Sequence, residues 1–164
     1  MKKTIRKQVL ICCVSLLLGS IVFAQSDDSG NKTGEICILS YKSNFKNELA
    51  GDLKEYFGSM GIHVTVDSIS NYKEHDADDY DAVILLSAVM AGRPRAKGVN
   101  YIKENDYSPN IIYVFTTGGN NDPYGRGLDK SRIDAITTAS RADGQKYSDM
   151  KEQIIKRTLE IIRA

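Results

Sequence analysis

The sequence predicts one α/β domain built as a three-layer sandwich, a five-stranded parallel sheet between helices. Three observations predict it. Short apolar runs alternate with longer segments of helical period from Glu35 onward. The central runs are continuously apolar, as strands covered on both faces require. The loops that follow these runs are polar and rich in Ser, Gly and Asn, as befits the rim of such a sheet.

The first residues stand apart from that domain. Lys2, Lys3, Arg6 and Lys7 precede the apolar run VLICCVSLLLGSIVFA, which is short for a membrane span. Val22 and Ala24 suit signal peptidase, so residues 1–24 are expected to be a signal peptide cut before Gln25. An uncleaved anchor is the alternative, and the only membrane contact expected. No cysteine follows the cut and Lys7, not Arg, follows Arg6, which argues against a lipoprotein and the twin-arginine route. The expected location is bacterial and extracytoplasmic, the periplasm or its equivalent.

Removing 24 of 164 residues leaves 140, enough for one core. Four of 22 basic residues and none of 21 acidic ones leave, so the balance moves from +1 to −3. No basic stripe remains to suggest nucleic acid. Cys12 and Cys13 also leave, so Cys37 has no disulfide partner and reads as a small buried hydrophobe. Residues 25–34, QSDDSGNKTG, read as a flexible polar leader, and 35–164 as the domain.

Within the domain, Glu35–Leu39 (EICIL) is the first strand. Asn44–Met60 places Phe45, Leu49, Leu53, Tyr56, Phe57 and Met60 at helical spacing, and Gly61 ends it. Ile62–Val66 alternates as the second strand. Asp81–Ser87 (DAVILLS) is the most apolar run and should be central. Val99–Glu104 falls in a helix that begins near Pro94. Asn110–Thr116 (NIIYVFT) is another central strand, and Ile133–Ser140 (IDAITTAS) an edge strand. The closing helix carries the stripe Met150, Ile154, Ile155, Leu159 and Ile162.

Ligands of such sheets bind beyond the carboxyl ends of the strands. Three loops matter for that reason. In SYKSNFK, the Ser40 and Ser43 hydroxyls, the Asn44 side chain, helix N–H groups and the charges of Lys42 and Lys46 suit a phosphate. Equally, Ser43 or Asn44 caps the helix and the lysines are solvated. In SAVMAGRPR, Met90 can lie against a flat ring, and Arg93 and Arg95 either pair with an acidic ligand or face water. In TTGGNNDPYGRG, Tyr124 can stack on a ring and Gly118 and Gly119 allow close approach; the same residues also make ordinary turns.

These loops, in this order, resemble a flavodoxin. The resemblance runs from Glu35 to about Arg163 and is nearest at YDAVILLSAVMAGRPRAKGVNYIKEN. Tyr80, Asp81, Ser87, Met90, Gly92 and the helix through Asn105 fit the family's pattern, with Ala88 where it has Pro. VFTTGG fits the Thr- and Gly-rich loop beside a flavin ring. The phosphate loop departs: Ser43 stands where Gly is usual and Phe45 where Thr is usual. The resemblance implies a sheet of order 2-1-3-4-5, bound FMN, and electron transfer with a redox protein or a quinone. It implies Ser40, Lys42, Ser43 and Asn44 at the phosphate, and Ser87, Met90, Gly92, Thr117, Gly118, Gly119 and Tyr124 around the ring. A flavin-free binding module is the alternative, and a quinone- or porphyrinogen-linked oxidase is a third reading. Separately, DAITTAS resembles the stretch at which exported FMN-binding domains take flavin covalently. Asp134, Thr137, Ala139 and Ser140 fit, with Ser140 as the esterified hydroxyl and Thr138 in place of Gly.

Other chemistry has little support. HDADDYD offers His75, Asp76, Asp78, Asp79 and Asp81, but without calcium-loop spacing and before a strand; a solvated acidic turn is expected. Neither His63 nor His75 sits near a nucleophile, and no GxGxxG or GxxxxGK[ST] occurs. No catalytic side chain and no metal site is expected.

Overall fold

The computed structural model describes residues 34–90, 93–117, 128–139 and 144–164. The expected signal peptide, most of the leader, and the loop glycines Gly92, Gly118 and Gly119 lie outside them, as do Tyr124 and Ser140.

The chain runs β1 (Glu35–Ser40), α1 (Asn44–Ser59), β2 (His63–Ser68), β3 (Ala82–Met90), β4 (Arg93–Pro94), α2 (Ala96–Glu104), β5 (Ile111–Thr117), β6 (Asp134–Ala139) and α3 (Gly144–Ile162). The sheet order is β2-β1-β3-β5-β6, and these strands are parallel. Counting parallel strands alone, that is the expected 2-1-3-4-5.

Strand alternation explains the two cores. Ile36 and Ile38 join Ala82, Ile84, Leu86, Ile112 and Val114 under α1 and α3, which contribute Leu49, Leu53, Phe57, Met150 and Ile154. Cys37 and Leu39 join Val83, Leu85, Tyr113 and Phe115 on the other face, under Tyr101 and Ile102 of α2. Each fully buried large side chain contributes roughly 1.5–3 kcal/mol. Helices α1 and α3 are tied at Asp52, which accepts from the Tyr147 hydroxyl (2.9 Å) and pairs with Lys151 (2.8 Å). Arg157 of α3 pairs with Asp134 at the start of β6.

Two features are absent from the sequence reading. Strand β3 continues to Met90 and folds back on β4, pairing Met90 with Arg93 and Val89 with Pro94. Proline is tolerated there because a two-residue outer strand leaves its missing N–H uncalled for. The passage from β2 to β3 makes two 3₁₀ turns, Ile69–Glu74 and Ala77–Asp79, capped by Ser68 and Asp76. Ile69 and Tyr72 from the first turn cover the sheet there. Asn105 and Asn110 hold this passage: Asn105 Oδ1 accepts from Ala77 N (2.7 Å), and Asn110 Nδ2 donates to the Ala77 and Tyr80 carbonyls (2.7 and 2.9 Å).

Tyr101 is fully buried, yet its hydroxyl has no hydrogen-bond partner among the described residues. Burying an unsatisfied hydroxyl costs about 1–3 kcal/mol. Tyr101→Phe should therefore stabilise the fold, by about 1 kcal/mol. Urea unfolding should show a higher midpoint with an unchanged slope; a lower midpoint would mean that the hydroxyl is satisfied in solution.

Candidate functional site

The carboxyl end of β1 is joined to α1 by three residues. Tyr41 N donates to the Leu86 carbonyl (3.1 Å), fixing the connection to the end of β3. Ser43 is extended (φ −160°, ψ 156°), and its hydroxyl accepts from Lys46 N at 3.2 Å. So Ser43 caps the helix, and this turn needs no glycine because no residue in it takes a positive φ. The N–H groups of Ser43, Asn44 and Phe45 find no protein acceptor among the described residues. They form the positive pole of a 16-residue helix.

Lys46 is the unexpected residue. It is only 6% exposed. It sits one turn ahead of Leu49 and Ala50, on the same core-facing stripe as Leu53 and Phe57. Helical side chains lean toward the helix N-terminus, so its stem runs over the carboxyl ends of the strands. No carboxylate pairs with it among the described residues. Burial holds its ammonium below the ordinary lysine value, and the nearby Arg95 guanidinium lowers it further. Arg95 follows β4 and lies over the Tyr41 ring, 5.5 Å from its centroid. The Tyr41 hydroxyl faces the backbone N–H groups of Lys97 and Gly98, at the start of α2. Two helix N-termini and two cations thus meet at the ends of β1 and β3, an arrangement suited to an anion.

The other expected residues fall as follows. Ser40 is 8% exposed and its hydroxyl donates to the Tyr41 carbonyl (3.1 Å). Lys42 and Asn44 are exposed. Phe45, at the usual threonine position, packs edge-on against Tyr147 at 5.8 Å. Ser87 is fully buried, accepts from the Tyr113 hydroxyl (3.4 Å), and lies 3.0 Å from where a Cβ on Gly98 would sit. It therefore faces α2 across a close helix–strand contact. Thr117 ends β5 and Met90 ends β3, each at the carboxyl rim. In the acidic turn Asp76, Asp78 and Asp79 are exposed, as expected, whereas His75 bridges Tyr80 Oη (2.8 Å) and Asp67 (2.9 Å). Among the described residues no three metal-ligating side chains gather, and no helix is long and apolar enough to cross a membrane. Tyr41 and the burial of Lys46 were missed from sequence; Lys46 falling in step with Leu49, Leu53 and Phe57 was the available signal.

No protein-family model and no curated protein sequence matches the chain. Solved structures do. Oxidised Flavodoxin 2 from Bacillus cereus superposes with a TM-score of 0.54 at 10% identity, over 77% of this chain and 98% of that one. A flavodoxin from the domain Archaea gives 0.50 at 10% identity, over 77% and 98%. A flavo di-iron protein from Thermotoga maritima gives 0.56 at 11% identity, over 79% of this chain and 36% of that one. The likeness to that longer protein thus spans about a third of its length. The protein has the flavodoxin-like fold. Identities this low establish the fold alone.

The buried cation has a consequence for stability. Lys46 is charged in the unfolded chain up to 10.5 but loses its proton earlier when folded. Between those two values the unfolded chain binds more protons, so rising pH relieves the penalty. Without ligand, Lys46→Met should be more stable than the natural protein at neutral pH. The gap should close as pH approaches 10.5. Paired urea titrations at neutral and alkaline pH measure it; a gap that does not vary with pH would place the ammonium in water.

Proposed function

We propose that the chain is an exported, flavin-binding redox protein. FMN would sit at the carboxyl ends of β1, β3 and β5, and electrons would pass to a partner protein or a quinone. Lys46 carries this reading: a buried ammonium with no carboxylate partner among the described residues, beside Arg95 and the N-terminus of α1. A phosphate beside it would supply the missing counter-charge. The phosphate end therefore fits the group; the ring end rests on residues 90–92 and 117–124, of which only Met90 and Thr117 are described, by their backbone.

When bound, FMN supplies the one- and two-electron chemistry. The chain's own part is binding and orientation. The Ser43, Asn44 and Phe45 N–H groups would donate to phosphate oxygens, Lys46 and Arg95 would balance their charge, and Ser40 and Lys42 would flank them. Met90, Gly92, Gly118, Gly119 and Tyr124 would enclose the ring, as the family resemblance implies. The basic and apolar residues 1–24 support delivery outside the cytoplasm.

One observation favours a flavin-free module instead. Phe45 puts an aromatic ring, packed on Tyr147, where a flavin-binding loop has a hydroxyl donor. The two readings separate by absorption. Protein isolated from its own compartment should show flavin bands that move to the supernatant on acid precipitation. Lys46→Met should weaken FMN binding on the order of tenfold or more. Bands that stay in the pellet and vanish in Ser140→Ala would mean covalent attachment. A colourless protein that takes up no added FMN would leave the flavin-free reading standing.

A further inference from the structure

A cleft of about 460 Å³ opens along the flank of α1, between it and the edge strand β2, with Ser40 and Lys42 also in its lining. Its volume lies in the range of small-molecule sites. One wall is the helix stripe Asn47, Ala50, Gly51 and Lys54, and the other is the end of β2, from Val66 to Ser68. Gly51 makes the room. A Cβ there would meet nothing within 4 Å. Glycine inside a helix costs about 1 kcal/mol relative to alanine; α1 carries two, Gly51 and Gly58, and Gly51 is the one that lines the cleft. The opposite wall is equally uncovered: Val66 is 40% exposed, in a sheet whose inner strands are almost wholly buried.

The charges around this apolar floor are unbalanced. Lys42 stands at one end and Lys54 at the other, and neither forms an ion pair among the described residues. The one carboxylate, Asp67, is already engaged. It pairs with His75 (2.9 Å) and accepts from Asn71 Nδ2 (3.1 Å) and Ser68 N (2.6 Å). Two free ammonium groups over an apolar floor complement a ligand with an apolar body and a negative head.

We propose that this cleft is a second binding site, for a small amphipathic anion: an acyl or aryl chain bearing one carboxylate, sulfonate or phosphate. The chain lies on Ala50 and Val66 in the space left by Gly51, and the head pairs with Lys54. The cleft adjoins the proposed phosphate site and shares Ser40 and Lys42 with it, but its floor on Ala50, Gly51 and Val66 does not include Lys46, so the two sites can be separated by experiment.

Decanoate is a suitable probe, followed through the methyl resonances of Val66 and Ala50 in the isolated protein. Both should shift and saturate with one equivalent bound. Decyltrimethylammonium, of opposite charge, should bind at least tenfold more weakly. Gly51→Leu should abolish the shifts without reducing helix content. Lys54→Gln, which leaves the cleft open, should weaken decanoate at least fivefold. FMN uptake by both variants should match the natural protein. Unmoved methyls, equal binding of the two charges, or displacement of decanoate by FMN would each overturn the proposal. Loss of FMN uptake in Lys46→Met with decanoate binding intact would support it, by separating the two sites.

Discussion

The constraint on which the rest depends is the exclusion of water from both faces of β1 and β3. From Ile36 to Leu39 and from Ala82 to Leu86, side chains are at most 1% exposed. Backbone polar groups there must be satisfied within the ladder, and polar side chains must bring partners. Ser87 has the Tyr113 hydroxyl and, in α3, Thr158 has the Ile154 carbonyl. Burial pushes the Cys37 thiol up to about 12, with the Tyr80 hydroxyl pulling the other way, so it packs as a hydrophobe. Any chemistry that needs charge is forced to the rim.

Lys46 is what that rule makes notable. The stripe of α1 that carries Leu49, Leu53 and Phe57 ends, one turn earlier, in a cation. Its position at the carboxyl rim, near Arg95, lets one helix face serve two purposes. The lower turns fill the core and the first turn charges the carboxyl rim of the sheet. Arg95 reaches the same place through the β3–β4 fold-back, which turns the chain over just where α2 must begin. A local hairpin thereby sets the position of a long-range charge.

Much of this was legible in the sequence. Continuous apolar runs marked the strands, and 3.6-residue spacing marked α1 and α3, because burial on two faces or on one stripe leaves a periodic imprint. Strand order was not readable from periodicity; it came with the resemblance to flavodoxins. The β3–β4 fold-back escaped because two residues carry no period. The 3₁₀ passage escaped because Ser, Asn and Asp caps, not apolar spacing, hold it. At the site, the location and the helix N-terminus were legible. The fate of each lysine was not: Lys42 and Lys46 are identical in type, and only the angular position of Lys46 on α1 turns it inward. Ser87 faces α2 beside Gly98, a placement that strand alternation sets and the loop pattern alone does not show.

The strand order has a bearing on how the chain assembles. After β1 and β2 pair, every later parallel strand adds to the side opposite β2: β3 on β1, β5 on β3, β6 on β5. Strands that pair in the order in which the chain emerges would therefore build the sheet in one direction. At each stage the newest strand is an open edge, and for a time that edge is β3, the most apolar of all. An intermediate stopped there would present unpaired N–H and C=O groups along a hydrophobic ribbon, the form of surface that recruits other strands. The terminal strand β6, clamped by Arg157 of α3 at Asp134, is where that growth ends. Truncation from the carboxyl end thus exposes a sticky edge rather than trimming a surface, and the final helix acts as the stop on an otherwise extendable sheet.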